Sequence, residues 1–179
     1  AAEAKEAGAP VLVAGTAFAY VFLLDALGAR TIALPPSSTL MLTGGFKGRS
    51  REVPEAELRA SLADRLALEP SRIVGEYGMT ELSSQLYEGR LAGLGDAYRA
   101  PPWMRVTAVD PVSLHPVPRG EIGIARIVDL ANVDSAIAIQ TMDRVRVTPG
   151  GIELLGRLPG ATPRGCSLAI EDIVGGASS

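Results

Sequence analysis

The most informative stretch of this chain reads Arg72-Ile73-Val74-Gly75-Glu76-Tyr77-Gly78-Met79-Thr80-Glu81-Leu82. Its apolar first half predicts a short buried strand, and its second half places an aromatic ring, a glycine, a hydroxyl and a carboxylate directly after that strand. Ligands of open α/β sheets bind at the carboxyl ends of the strands. The stretch therefore predicts a ligand site at a sheet edge. The alternative is a turn that leads into a helix capped by Thr80.

Upstream of this stretch, short apolar runs bounded by proline and glycine predict buried strands, at residues 10–15, 31–34 and 39–43. Two helices are expected between and after them. The first is an apolar helix that Thr16 and Gly28 are suited to cap, and the second begins at Pro54 and carries a leucine stripe. This order predicts an α/β fold whose partly parallel sheet has flanking helices, over residues 1–98.

The sequence pattern changes after about residue 98, where short strand candidates alternate with turns that contain proline and glycine. The candidates lie at residues 105–109, 122–128, 136–139 and 152–155. Residues 99–174 are therefore expected to form a small antiparallel β sheet or a partial barrel within the same large domain. Residues 175–179 are expected to form a frayed tail.

Composition excludes several classes of protein. The 179 residues are 47% hydrophobic and carry a net charge of −3, so a disordered chain and a nucleic-acid-binding protein are not expected. One cysteine and one histidine, His115, exclude a disulfide framework and a zinc site of ordinary ligand spacing. The longest apolar stretch, residues 16–27, is shorter than the roughly 20 residues of a membrane span. With no signal-peptide pattern at its start, the chain is expected to be cytoplasmic.

The run from Tyr77 to Glu81 resembles the YGxTE motif of the adenylate-forming superfamily of acyl-CoA synthetases, adenylation domains and luciferases. Three further stretches follow in the order of that family: Thr43-Gly44-Gly45-Phe46, Gln140-Thr141-Met142-Asp143 and Gly156-Arg157. Within the superfamily, residues 43–49, 77–85 and 164–168 are most similar to the acyl-protein synthetases of the LuxE type. The resemblance covers most of residues 10–172.

This resemblance implies a function and a set of cofactors. The enzymes of the family use ATP and Mg²⁺ to activate a fatty or related carboxylic acid as an acyl-adenylate, and they pass the acyl group to a protein cysteine and then to a reductase partner. The residues with an implied role fall into four groups: adenine contacts at Gly44, Gly45, Phe46 and Tyr77, with Gly78 and Met79 beside the nucleotide; phosphate contact at Thr80; Mg²⁺ binding at Glu81; and ribose contacts at Asp143 and Arg157. Cys166 corresponds to the acyl acceptor.

Several alternatives stay open. Cys166 is either that acceptor or a small buried hydrophobic residue. The chain is otherwise an aryl-CoA ligase of the phenylacetate type with CoA as acceptor, a non-catalytic nucleotide-binding module, or a purely structural α/β domain. The family's phosphate loop and its C-terminal lysine domain do not occur among these residues, so we expect the chain to hold an adenylate better than it makes one.

Two smaller groups of residues have a double interpretation. Lys47, Arg49 and Arg51 either form a solvated loop or lean toward phosphate. Asp129, Asn132 and Asp134 are interpreted as turn residues, with a role in lining a pocket as the alternative.

Overall fold

The computed structural model describes residues 2–44 and 53–161. They divide into two compact units, a first that ends at Gly75 and a second that begins at Glu76. The described helices are α1 (Ala2–Glu6), α2 (Ala17–Leu27) and α3 (Glu55–Leu66), with single 3₁₀ turns at Pro70–Arg72 and Gly89–Ala92. The described strands are β1 (Leu12–Thr16), β2 (Thr39–Thr43), β3 (Ile73–Tyr77), β4 (Leu86–Glu88), β5 (Tyr98–Arg99), β6 (Met104–Val109), β7 (Ile122–Asp129), β8 (Ala138–Thr148) and β9 (Gly151–Arg157).

In the first unit, strands β1 and β2 are parallel, with Leu12 opposite Thr39 at one end of the pair. The connecting helix α2 has the two predicted caps. The Thr16 hydroxyl accepts a hydrogen bond of 3.1 Å from the Ala19 N–H, and the N–H of Gly28, at a φ of 57°, donates to the Leu24 carbonyl. The predicted α/β order of this unit is therefore confirmed, with a parallel pair where a parallel pair was expected.

The core of the first unit lies between the helices and these strands. The predicted leucine stripe of α3 is confirmed, since Leu58, Leu62 and Leu66 are all buried. The helix begins at Glu55, one residue later than predicted, because Pro54 has the extended ψ of 134° and stands before the first turn. Tyr20 on α2 is also buried, and its hydroxyl lies 2.9 Å and 3.0 Å from the carbonyls of Val13 and Met41. This burial raises the pKa of Tyr20 well above its ordinary value.

The strand predicted at residues 31–34 is wrong. Its backbone instead runs along the end of α3, where the N–H groups of Ile32 and Leu34 donate to the carbonyls of Arg65 and Leu66 at 2.8 Å and 3.2 Å. The last carbonyls of a helix have no partner within the helix. The carbonyls at the end of α3 therefore accept hydrogen bonds from the backbone N–H groups that residues 31–34 would otherwise donate to a neighbouring strand. Within residues 2–44 and 53–161, no helix is long and apolar enough to cross a membrane.

The second unit is an antiparallel sheet in which the strands lie in the order β3-β4-β5-β9-β8-β7-β6. The predicted small antiparallel sheet is confirmed. Strand β8 is longer than predicted, and it carries Thr141, Met142 and Asp143 within its length. The core of this unit contains the buried side chains of Leu86, Met104, Ala108, Ala125, Ile127, Val145 and Ile152.

Candidate functional site

The stretch after β3 forms a tight turn at the edge of the second unit's sheet. Tyr77 is the last residue of β3 and lies opposite Leu86 of β4. The N–H of Leu82 donates to the Met79 carbonyl at 3.0 Å, which closes a turn with Thr80 and Glu81 at its exposed tip. A turn is present, but the helix of the alternative interpretation is not, because the chain continues into strand β4.

Tyr77 contacts the second motif directly. Its hydroxyl donates a hydrogen bond of 2.7 Å to Oδ2 of Asp143 on β8. Burial raises the pKa of Tyr77 far above its ordinary value, and the negative charge of Asp143 raises that pKa further. The phenol is therefore a neutral donor at physiological pH, and the carboxylate is held in one orientation.

Arg157 lies on the other side of the same carboxylate. It stands directly opposite Asp143 in the β8–β9 ladder, and its Nε lies 3.4 Å from Oδ1 of Asp143. This is an ion pair without a hydrogen bond, because among the described residues the buried Nε of Arg157 has no hydrogen-bond partner. The register of the ladder shifts between Asp143 and Val145, and such an irregularity re-aims side chains.

Thr141 holds the backbone of Asp143 in place, a role that the sequence did not indicate. The buried Thr141 hydroxyl donates to the Ala125 carbonyl at 3.0 Å and accepts from the Asp143 N–H at 3.1 Å. Met142, at the position where the motif has glycine, is 48% exposed, so its side chain turns away from the core. The motif thus remains within strand β8, although the register shifts there against both neighbouring strands, and Asp143 lies between Tyr77 and Arg157.

Gly78 has a packing requirement of its own. A Cβ atom at this position would contact the carboxylate of Glu76 and would lie 2.9 Å from Cγ of Gln85. The glycine therefore makes room for the side chains of its neighbours in the second unit. Met79, the next residue, packs its side chain against the core of the same unit.

The residues after the turn are held by β7 and the loop that follows it. Asp129, the last residue of β7, is fully buried, and its carboxylate accepts hydrogen bonds from Ser83 and Ser84. Asn132 contacts the backbone of Glu81. The sequence pattern favours an interpretation of Asp129 and Asn132 as turn residues. Only their contacts reveal that they support the Thr80–Glu81 turn.

The remaining predicted residues are not all within the described part of the chain. Gly44 directly follows β2 in the first unit, at a φ of 65°. Gly45, Phe46 and Cys166 lie outside the described residues, as do Lys47, Arg49 and Arg51. His115 is exposed in a turn, where its carbonyl accepts from the Asp110 N–H. Within residues 2–44 and 53–161, no three His, Cys, Asp or Glu side chains cluster as metal ligands.

A cavity of about 520 Å³ opens beside the turn, within the second unit. Trp103, which is half exposed, lies in its wall and donates from Nε1 to the Ser84 hydroxyl at 2.8 Å. The other lining residues are Ser83, Ser84, Gln85, Tyr87, Glu88, Gly89, Leu91, Ala92, Leu94, Arg99, Ala100 and Pro101. The cavity is thus largely apolar, and it is lined by the two serines that follow the turn.

Three known proteins illustrate what this chain is similar to. One curated relative, the long-chain-fatty-acid–luciferin-component ligase of Aliivibrio fischeri, is 26% identical over 142 residues, which cover 73% of this chain and 36% of the relative. The structure of McyG A-PCP complexed with phenylalanyl-adenylate matches with a TM-score of 0.58 at 18% identity. The match covers 87% of this chain and 32% of the McyG chain. ATP-bound MatB from Rhodopseudomonas palustris has a TM-score of 0.59 at 18% identity, over 83% of this chain and 31% of its own.

These similarities have different weight. At such low identity, the solved structures show the fold alone, which this chain shares with part of each of them. The chain spans about a third of the length of the relatives it matches. A family model described as acyl-protein synthetase, LuxE, matches residues 2–174, nearly the whole chain. The chain therefore belongs to the LuxE family of acyl-protein synthetases.

Proposed function

We propose that this chain binds ATP, and the acyl-adenylate formed from it, at the site around Tyr77, Asp143 and Arg157, and that it serves the activation of a carboxylic acid. The observation that carries this proposal is the contact between Tyr77 and Asp143. It joins the first residue of one motif to the aspartate of another, 66 residues away. Membership of the LuxE family supports the same conclusion.

The ribose is the part of the nucleotide that these residues suit best. The Asp143 side chain is 21% exposed and presents carboxylate oxygens that accept hydrogen bonds from paired hydroxyls. Arg157 adds guanidinium donors, and its Nε has no hydrogen-bond partner among the described residues. The Arg157 side chain is 27% exposed, so ligand oxygens can accept hydrogen bonds from its outer guanidinium N–H groups.

The adenine and the phosphates are assigned to other residues of the motifs. Because the Tyr77 hydroxyl is directed to Asp143, the ring is held in one place and offers a face on which a base can stack. Gly44, Gly45 and Phe46 are proposed as further adenine contacts, and Gly78 and Met79 as residues beside the nucleotide. Thr80 and Glu81 lie at the exposed tip of the turn, where a hydroxyl can donate to a phosphate and a carboxylate can hold Mg²⁺.

A single carboxylate is sufficient for such a magnesium site. Mg²⁺ in nucleotide sites commonly takes one or two carboxylates and completes its octahedron with phosphate oxygens and water. Glu81 would therefore bind the ion only together with the nucleotide. Activation joins an oxygen of the substrate carboxylate to the α-phosphorus of ATP and releases pyrophosphate, and an Mg²⁺ ion held by Glu81 would supply charge neutralisation for the departing group.

The finer proposal concerns the acyl acceptor. Cys166 is proposed to accept a fatty or related acyl group as a thioester, with release of AMP, before transfer to a reductase partner in the cytoplasm. The name of the Aliivibrio fischeri relative, a luciferin-component ligase for long-chain fatty acids, supports a fatty acid as the substrate. An aryl-CoA ligase of the phenylacetate type is the rival, with CoA in place of the cysteine.

The second candidate function is nucleotide binding without turnover. The contacts among Tyr77, Asp143 and Arg157 are hydrogen-bonding and ionic, which suits holding a ribose and does not itself require a reaction. ATP–pyrophosphate exchange separates the two candidates. A protein that binds the adenylate but catalyses no exchange with a panel of fatty and aromatic acids is a binding module.

The first test is calorimetric titration with a non-hydrolysable acyl-sulfamoyl adenosine. We expect Asp143→Ala to raise the Kd at least about tenfold, because it removes charged hydrogen bonds to the ribose. Glu121→Ala is the matched control, since Glu121 is an exposed acid in a turn of the same unit, and its Kd should equal that of the wild type. Absence of binding by the folded wild-type protein would contradict the proposal.

The acceptor is tested with a radiolabelled acyl group. With ATP, Mg²⁺ and a labelled fatty acid, the wild-type protein should retain the label after denaturation and lose it with hydroxylamine, as a thioester does. Cys166→Ser should retain no hydroxylamine-sensitive label. If the acyl group instead appears on added CoA and never on the protein, the aryl-CoA ligase alternative is favoured.

A further inference from the structure

We infer that Asp129 and Asn132 are positioning residues that hold the Thr80–Glu81 turn in the geometry needed to bind the metal–phosphate part of the nucleotide. The inference rests on the proposed function and extends it to two residues that do not touch the ligand. They lie at the end of β7 and in the loop that follows, about fifty residues beyond the turn they hold.

Asp129 holds the segment just after the turn by its backbone. Its Oδ2 accepts from the N–H groups of Ser83 and Ser84 at 3.1 Å and 2.9 Å. Its Oδ1 accepts from the Ser84 hydroxyl at 3.0 Å and from the Ala131 N–H at 3.0 Å. The carboxylate is 0% exposed, so its charge is offset by these four donors.

Asn132 holds the turn itself. Its Nδ2 donates to the carbonyl of Glu81 at 2.9 Å and to the carbonyl of Ala136 at 2.8 Å. Its Oδ1 accepts from the Ser83 hydroxyl at 2.9 Å. One buried amide therefore connects the residue proposed to bind Mg²⁺ to the loop between β7 and β8.

The segment that carries Asp129 and Asn132 is itself held by backbone hydrogen bonds. The Asp129 N–H donates to the Ile137 carbonyl at 2.9 Å, and the Leu130 N–H donates to the Trp103 carbonyl at 3.1 Å. Trp103 also donates from its ring to the Ser84 hydroxyl, the same hydroxyl that donates to Asp129. These hydrogen bonds connect the loop to its neighbours at both ends, so that it can hold the turn and the groups of Thr80 and Glu81 in one orientation.

The geometry separates two parts of the nucleotide site. The ribose contacts, Asp143 and Arg157, lie in β8 and β9 and have no contact with Asp129 or Asn132 among the hydrogen bonds described here. Loss of the support should therefore affect Thr80 and Glu81 and leave the ribose contacts in place. Affinity for Mg²⁺-ATP should fall, and affinity for AMP without metal should not.

The test measures both affinities by titration calorimetry, with Mg²⁺-ATP in one series and AMP with EDTA in the other. Asn132→Ala is expected to raise the Kd for Mg²⁺-ATP about tenfold and that for AMP less than about twofold, since the hydrogen bonds it removes act only on the turn. Asp134→Asn, an exposed change in the same loop, is the matched control and should alter neither value.

A second pair of variants guards against misfolding. Ser83 is exposed, so Ser83→Ala and Ser83→Thr should both fold. Ser83→Ala deletes the hydroxyl that donates a hydrogen bond to Oδ1 of Asn132, and it should weaken Mg²⁺-ATP binding about threefold. Ser83→Thr keeps a hydroxyl and should have wild-type affinity. A purely structural role would not give this split between the two ligands.

The outcomes distinguish the inference from the proposed function. Equal losses for AMP and Mg²⁺-ATP in the Asn132 and Ser83 variants, or no loss in either, would overturn the positioning role while leaving the nucleotide site in place. Failure of the wild-type protein to bind either nucleotide would overturn the proposed function and the positioning role together. Rapid hydrogen exchange of the Ser83 and Ser84 amides in the wild type would overturn the support itself, whatever the nucleotide results.

Discussion

The Tyr77 hydroxyl lies 2.7 Å from Oδ2 of Asp143, although three strands separate their own strands in the sheet order. Four steps of about 4.8 Å across a flat sheet would place β3 and β8 roughly 19 Å apart, farther than the two side chains reach together. The sheet of the second unit must therefore curl. Strands β4 and β5 have only three and two residues, which allows the sheet to bend sharply between β3 and β9.

Removal of this hydrogen bond should cost stability. We expect Tyr77→Phe to lower the free energy of unfolding by about 1–2 kcal/mol, because a hydrogen bond to a carboxylate is stronger than a neutral one but this one is partly exposed. Urea unfolding followed by circular dichroism would measure the change. A variant as stable as the wild type would show that the contact between β3 and β8 contributes little.

The same tyrosine makes stability depend on pH in the alkaline range. The pKa of Tyr77 is raised in the folded protein, whereas in the unfolded chain it is about 10. Above that pH the unfolded state releases a proton that the folded state retains, so stability is full below about pH 10 and falls as the pH rises further. Each such group contributes a slope of up to about 1.4 kcal/mol per pH unit.

Comparison of wild type and Tyr77→Phe isolates this contribution. Between about pH 9 and pH 11, the wild-type free energy of unfolding should fall more steeply than that of the variant. Tyr20, whose pKa is also raised by burial, contributes to both proteins and cancels in the difference. Parallel curves would mean that Tyr77 is not the group whose proton is retained.

The leucine stripe of α3 should dominate the stability of the first unit. Leu62 is 0% exposed, and we expect Leu62→Ala to destabilise the protein by about 2–5 kcal/mol through lost burial and the cavity left behind. Asp64→Ala on the exposed face of the same helix should change stability by less than about 0.5 kcal/mol. Chemical unfolding of the two variants side by side tests the contrast. Similar losses for both would contradict the dominant role of packing, because alanine has a higher helix propensity than leucine or aspartate.

Gly123 in β7 has no room for a side chain, because the backbone of Val109 lies against it. A Cβ atom there would lie 2.5 Å from the carbonyl oxygen and 2.7 Å from the nitrogen of Val109, so Gly123→Ala should destabilise the protein by about 1–3 kcal/mol or more. Gly150 is the matched control, because its nearest contact would be 3.4 Å, to a side-chain hydroxyl. Thermal unfolding should show a lower Tm for Gly123→Ala, and Gly150→Ala should stay close to the wild type.

Elements with a strong local pattern were predictable from the sequence. Helix α2 carries its own caps and α3 its own proline start and leucine stripe, so both ends of α2 and the start of α3 were predicted to within about a residue. Strands β4 and β5 were missed because two or three residues are too few to show a pattern. Residues 31–34 have the composition of a strand, but their N–H groups are used by the end of α3, a partner that no local pattern reveals.

The sequence by itself determined the order of motifs around Tyr77, Asp143 and Arg157 and the class of fold that carries them. Only the tertiary structure decided that Tyr77 and Asp143 touch, that Arg157 forms an ion pair with the same carboxylate, and that Asp129 and Asn132 hold the Thr80–Glu81 turn. The reason is physical. A motif expresses which groups are present along the chain, whereas hydrogen bonds between residues about fifty or more positions apart depend on how the sheet curls and which carboxylate it buries.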